Sequence, residues 1–165
     1  WKDVQKAGLP VMAVINKMDR ERANFDQAFS GISDILGGKP VLMYMPIGAE
    51  ADFKGLVDVL NSKALFFKDE GQVEEGEIPA EIQDQVAELF ETTVENIAES
   101  DEELMEKYLE EGELTPDEIQ SGLRKGVLAG EIVPVCATAA AANKGGREVL
   151  ELIQDYFPSP LDRKP

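Results

Sequence analysis

The chain is predicted to be an α/β protein, in which a partial parallel sheet of two strands with flanking helices is interrupted by a small α+β insertion. Three observations carry this expectation. An all-apolar run, Val11-Met12-Ala13-Val14-Ile15, stops at the polar string Asn16-Lys17-Met18-Asp19. A second run, Ile132-Val133-Pro134-Val135-Cys136, stops at Ala137-Thr138-Ala139-Ala140. Between them lie strand-like segments, helical stripes and almost all of the chain's negative charge. Short apolar runs bounded by turn signals read as strands buried on both faces, and open parallel sheets bind ligands at the carboxyl ends of their strands.

In chain order, Trp1-Lys2-Asp3-Val4-Gln5-Lys6-Ala7-Gly8 reads as the tail of a helix with Gly8 as its C-cap. Gly8-Leu9-Pro10 then introduces the first strand. A helix is expected over the stripe Phe25, Ala28, Phe29, Ile32, Ile35 and Leu36, capped by Asn24 and stopped at Gly37-Gly38. Val41 to Ile47, Gly55 to Val59, Ala64 to Phe67 and Val73 to Ile78 read as short strands separated by Gly, Asn-Ser and Lys-Asp-Glu-Gly turns. From Pro79 onward Ile82, Val86, Leu89, Phe90, Thr93, Val94 and Ile97 recur at helical spacing, so one face is buried while Glu81, Asp84, Glu88, Glu91, Glu95 and Glu99 occupy the other. Leu104, Met105, Tyr108 and Leu109 give a short helix ended near Gly112. Thr115-Pro116-Asp117-Glu118 is a capping box with Pro at the first helical position, opening a helix through Ile119, Leu123 and Val127. After the second apolar run, a last helix bears Val149, Leu150, Ile153, Tyr156 and Phe157. The expected organisation is discontinuous: residues 1–37 and 131–158 form the sheet unit, 38–130 are the inserted acidic subdomain, and 159–165 lead out as a linker.

Composition narrows the function classes. At 165 residues and 43% hydrophobic content the chain can bury a core, and no apolar run approaches the ~18 residues of a membrane span. The net charge of −17 is local, because residues 69–118 hold 20 Asp/Glu against one Lys. That segment repels nucleic acid and anionic membranes. The single cysteine, Cys136, excludes an internal disulfide and suits a reducing cytoplasm. With no histidine, neither a transition-metal site nor a Cys-His nucleophile pair is expected.

The polar string after the first strand has the chemistry of a base reader. A fixed carboxylate such as Asp19 accepts two parallel hydrogen bonds from guanine N1–H and its 2-amino group, a pair adenine cannot offer. Asn16 carries an amide donor and acceptor that can bond a base edge or tie its loop to a neighbouring one. Lys17 has an aliphatic stem that can lie along a base face, and Met18 need contribute only backbone.

Asn16-Lys17-Met18-Asp19-Arg20 with Ala23-Asn24-Phe25, Ile47-Gly48-Ala49-Glu50, Leu104-Met105-Glu106-Lys107-Tyr108-Leu109 and Tyr156-Phe157-Pro158-Ser159-Pro160-Leu161-Asp162 together resemble bacterial translation elongation factor G, over nearly the whole chain. The resemblance implies a partial P-loop GTPase sheet and an inserted subdomain, in a translational GTPase that uses GTP/GDP with Mg and acts on the ribosome in translocation. It implies Asn16, Lys17 and Asp19 as guanine-site residues. It also implies a second guanine loop at Thr138, Ala139 and Ala140, where a backbone N–H meets the guanine carbonyl. Here the sequence departs from the family: residues 139–142 are bare alanine, and the loop is one residue longer before Asn143-Lys144-Gly145. The acidic helix has two readings, a solvated face or, by the same resemblance, a dock for the basic C-terminal domain of the ribosomal stalk protein through Glu88, Glu91, Glu95 and Glu99.

Catalytic residues are expected to be absent. No G-x-x-x-x-G-K-[ST] phosphate loop occurs, and Gly38-Lys39 is followed by Pro40. The two D-x-x-G strings, at Asp34 and Asp52, read as chance matches. Since the chain opens in mid-element without Met, it reads as an excised piece that would not hydrolyse GTP alone and would self-associate through the edge of its first strand. Two functions therefore stay open: the guanine-recognition part of a translational GTPase, or a non-enzymatic docking module whose guanine site has decayed, favoured by the alanine run.

Overall fold

The computed structural model describes residues 2–36, 39–68, 71–159 and 161. The expected stop at Gly37-Gly38, part of the turn at Asp69-Glu70, and most of the 159–165 linker lie outside the described residues.

The α/β class holds. Six strands form one mixed sheet in the order β1-β6-β2-β3-β4-β5, with β1 at Ala13–Ile15, β2 at Lys39–Ile47, β3 at Gly55–Asp58, β4 at Lys63–Phe67, β5 at Val73–Gly76 and β6 at Ile132–Ala137. The parallel part has three strands rather than the expected two, because β2 pairs parallel with β6 as well as antiparallel with β3. Its run Val41 to Met45 is buried throughout, the pattern of a strand with neighbours on both edges and cover on both faces. From β2 to β5 the sheet continues as an antiparallel meander.

The first strand is shorter and more exposed than expected. Only Ala13–Ile15 pairs, Ile15 is buried, and Val14 is 43% exposed. Thr138 N–H donates to Ile15 O at 2.8 Å across the β6 edge. Alternation along β6 places Cys136 and then Pro134 on that same edge. Pro134 has no N–H to offer, so Val11 and Met12 gain no ladder and β1 begins only opposite Val135. As the end strand of the sheet, β1 has no second neighbour among the described residues, which leaves Val14 uncovered.

The helices follow their local signals. They are α1 (Lys2–Lys6), α2 (Phe25–Ile35), α3 (Gln83–Ala98), α4 (Glu102–Glu111), α5 (Pro116–Ala129) and α6 (Gly146–Tyr156). α2 packs on β1 and β2, α3 on β2, and α5 and α6 on β6, while α3, α4 and α5 pack on one another. Asn24 caps α2 by accepting from Gln27 N–H at 2.9 Å. Asp101 caps α4 through Glu103 and Leu104 N–H, and Gly112 closes it at φ +80°. The capping box of α5 is complete. α5 lies close to its neighbours because Gly122 has no side chain: a Cβ there would sit 2.5 Å from Leu104 Cδ1 and 2.8 Å from Ile97 Cγ2.

Three stripes differ from expectation. No α2 residue is fully buried and Ile35 is exposed; the main packing partners of that helix among the described residues are β1 and β2. In α4, Leu109 points to solvent. α6 is rotated so that Glu148, Leu152 and Tyr156 are its buried face, leaving Leu150 68% exposed. The i, i+4, i+8 spacing of those three buried positions competes directly with the purely apolar stripe, and sequence periodicity cannot see that a glutamate is taken inward.

The Glu118 carboxylate is held down to about 2 from an ordinary 4.5, first by Lys107 Nζ and then by the Thr115 N–H and hydroxyl. The contacts are 2.7 Å to Lys107 and 2.8 Å to each Thr115 donor. A depressed folded value contributes stability that is complete above about pH 4.5 and lost as pH falls toward about 2. The stability difference between wild type and Glu118→Gln, measured by urea unfolding, is expected to shrink across that window; a difference independent of pH would refute the assignment.

Candidate functional site

The ends of β1 and β6 are tied to each other. Beyond the strands, Thr138 N–H donates to Ile15 O at 2.8 Å and Met18 N–H donates to Thr138 O at 3.0 Å. Asn16 sits at this crossing. Its Oδ1 accepts from Lys17 N–H at 2.8 Å, from the Thr138 hydroxyl at 3.1 Å and from Ala140 N–H at 3.0 Å. Of the two roles open to Asn16, the oxygen takes the tie between loops, joining segments 122 residues apart in sequence. Its amide nitrogen has no partner among the described residues.

The loop turns sharply at Lys17, whose φ is +68°. Met18 contributes more than backbone, for its side chain is 2% exposed and belongs to the core. It acts as a plug beneath the loop. A third segment holds the loop from outside: Glu50 N–H donates to Met18 O at 2.8 Å, and Glu50 Oε1 accepts from Arg22 N–H at 2.7 Å. Asp19 is half-buried, and among the described residues nothing engages its carboxylate or the Lys17 ammonium. The arrangement leaves an acceptor pair on a rigid support, with no internal donor to satisfy it.

The second loop also bonds within itself, besides its ties to the first. Thr138 and Ala139 are buried and Ala140 is exposed. Ala139 N–H, one of the backbone donors of the loop expected to meet a base carbonyl, donates to Lys144 O at 2.9 Å, and Lys144 N–H returns a bond to Ala139 O at 3.2 Å. The alanine run between them forms a 3-10 turn, so the segment closes on itself. Gly145 makes that closure possible: its φ is +80° and a Cβ would lie 2.8 Å from Ala137 O.

Lys144 is a supporting residue that the sequence reading did not single out. Its Nζ donates to Phe53 O at 2.6 Å and lies 5.6 Å and 5.7 Å from the Phe53 and Phe67 ring centroids. Glu50 is the second such residue. No spacing in the sequence links either one to the loops it holds, because both contacts cross the sheet's connections.

On α3, Glu88, Glu91 and Glu95 are exposed and unpaired among the described residues, while Glu99 is engaged by Lys39. Among the described residues no group of acids, with Cys136, could hold a metal ion, and no helix is long and apolar enough to cross a membrane.

Residues 1–159 match the family described as the elongation factor Tu GTP binding domain. The chain belongs to this family. It is also similar to a crystal structure of a protein from Thermus thermophilus, with a TM-score of 0.90 and 30% sequence identity over 99% of this chain and 24% of that one. The chain thus spans about a quarter of that protein's length, 24%. The mixed sheet and helices are those of a GTPase domain of the translation-factor type.

Within this GTP-binding domain, Asn16 and Asp19 separate a structural task from a free one. Asn16→Ala leaves the Thr138 hydroxyl and Ala140 N–H without their acceptor and is expected to cost about 1–3 kcal/mol. Asp19→Asn loses no contact and is expected to stay within about 0.5 kcal/mol of wild type. Urea unfolding of both variants checks this, and equal destabilisation would contradict the division of labour.

Proposed function

We propose that this chain is the guanine-recognition part of a translational GTPase of the elongation factor G type, acting on the ribosome in translocation. The observation that carries the reading is the Asp19 carboxylate, unengaged beside a loop that Asn16 locks to the neighbouring one. Guanine offers N1–H and its 2-amino group to Asp19. Asn16, with Oδ1 committed, has its amide nitrogen for the N7/O6 edge, where guanine presents acceptors. The Lys17 stem covers a base face, and Thr138, Ala139 and Ala140 form the other wall. A site built on these donors and acceptors rejects adenine by leaving buried groups unpaired.

The residues present fit the base alone. Bound GTP or GDP supplies the phosphates, and Mg would be held with them by a G-x-x-x-x-G-K-[ST] loop that this sequence does not contain. No residue here is assigned a hydrolytic role. In the proposed organisation, 1–37 with 131–158 form the nucleotide-binding unit of a cytoplasmic factor, 38–130 are an inserted subdomain and 159–165 a linker. The competing reading is a protein-docking module with a decayed guanine site, and one observation favours it: the Ala139 N–H is already taken by Lys144 O.

Titration of the full-length protein with GDP and ADP separates the two readings. A guanine preference of at least tenfold, lost in Asp19→Asn, is expected; equal affinities would leave only the docking module.

The inserted subdomain's acidic helix is proposed to receive the basic C-terminal domain of the ribosomal stalk protein through Glu88, Glu91 and Glu95, with Glu99 at the margin because Lys39 engages it. Exposed carboxylates in a row steer a basic partner and make the association salt-dependent. Charge reversal at Glu91 and Glu95 is expected to weaken stalk-dependent GTPase stimulation several-fold and flatten its salt dependence. Unchanged stimulation in that double variant would remove the proposal.

A further inference from the structure

A polar cavity of about 290 Å³ lies on one face of the antiparallel wing of the sheet, walled by the first turns of α6. Strand register builds its floor. Tyr44 on β2 stands opposite Asp58 on β3, and Asp58 stands opposite Lys63 on β4. Leu65, two residues on from Lys63 and therefore on the same face, stands opposite Glu75 on β5. From α6, Arg147, Glu148 and Glu151 close the side.

The rim charges cancel in pairs. Lys63 Nζ meets Glu75 at 3.0 Å and Arg147 Nε meets Glu151 at 2.8 Å. Asp58 accepts from Asn61 N–H at 3.0 Å and from its side-chain amide at 2.8 Å, which leaves its charge uncompensated. Two groups facing the cavity have no hydrogen bond to another described residue: the Glu148 carboxylate, 2% exposed, and the Tyr44 hydroxyl, 8% exposed. Glu148 has only its own backbone N–H nearby. Burial pushes the Glu148 carboxyl up, and burial together with Asp58, Glu151 and Glu148 pushes the Tyr44 hydroxyl up. Their polar atoms open onto the cavity, since no side-chain nitrogen or oxygen sealed from solvent lacks a hydrogen-bond partner among the described residues.

The surplus here is of acceptors and negative charge. An anion is therefore excluded, and a neutral ligand leaves Asp58 and Glu148 uncompensated. The acids are not arranged to hold a metal ion among the described residues. A primary ammonium has three N–H donors on a compact charge, matching three acceptor groups. Leu65 and Val73, on the cavity wall, give an aliphatic stem apolar contact.

We propose that this cavity binds a primary alkylammonium group, with Glu148, Asp58 and Tyr44 as its acceptors. The group belongs either to a free diamine or to a lysine side chain of a polypeptide. The site uses none of residues 16–19 or 138–140, so it stands or falls independently of the guanine reading.

The chain is titrated at constant ionic strength with 1,5-diaminopentane, with Nα-acetyl-lysine methylamide and with 1-butanol, followed by NMR shifts and calorimetry. Both amines are expected to saturate, moving Tyr44 and Glu148 resonances and leaving Asn16 unmoved, while 1-butanol does not. Glu148→Gln is expected to weaken amine binding about tenfold or more, as loss of a charge-assisted bond does. Tyr44→Phe, which keeps the ring and its packing, is expected to weaken it about threefold. Glu110→Gln, an exposed acid outside the cavity, is the control for general electrostatic attraction. Tighter binding of the diamine assigns a free ligand, and tighter binding of the lysine analogue assigns a protein partner. Amine binding no stronger than 1-butanol, or undiminished in both Glu148→Gln and Tyr44→Phe, overturns the proposal.

Discussion

The structure depends on β6 lying between β1 and β2. Every residue of Ile132–Ala137 is buried, and the strand pairs parallel on both edges. It is the last strand in sequence and stands inside the sheet rather than at its margin. β1 and β2 therefore have no contact ladder with each other until β6 arrives to join them. The same strand carries Thr138 to Asn16, so completing the sheet and assembling the loop pair are one event. Pro134 sets the limit of that joint, since the missing N–H falls on the β1 edge and confines pairing there to three residues.

Electrostatics is organised around this core rather than through it. Most of the acids of 71–118 sit on solvent faces, and the few nearby lysines pin particular helix ends. Lys125 meets Asp101, which caps α4, at 2.7 Å, and Lys107 meets Glu118, which completes the α5 capping box, also at 2.7 Å. Lys39, at the start of β2, engages Glu99 at the end of α3. Exposed pairs of this kind add little stability singly. At Asp101 and Glu118 they act where a cap already orients the carboxylate, so they reinforce geometry set by the backbone. Glu148 is the exception, because it is drawn under α6 without a counter-charge of its own.

Much of the local structure was legible because its causes are local. The Asn24 cap, the Thr115/Glu118 box and the stripe of α3 each need only a few consecutive residues to be recognised. Errors arose where a distant element decided the outcome. The parallel part was expected to hold two strands because nothing in the residues of β2 reveals that β6 pairs with it. Leu150 read as core because apolar character, and not the rotation of α6, was visible. At the candidate site, the string from Asn16 to Asp19 was readable as chemistry, while Glu50 and Lys144 were invisible because they act across the fold.

From the sequence alone come the α/β class, the helix ends, the confinement of negative charge to one segment, and a carboxylate and an amide at the end of an apolar strand. These follow from period, capping chemistry and composition, all of which operate over a few residues. Only the tertiary structure decided what Asn16 does with its oxygen, that Asp19 has no partner among the described residues, that the Ala139 amide is taken, and that Tyr44 and Glu148 face one cavity. Each of those outcomes is a competition among donors and acceptors brought together from distant parts of the chain. The winner depends on distances that exist only once β6 is in place.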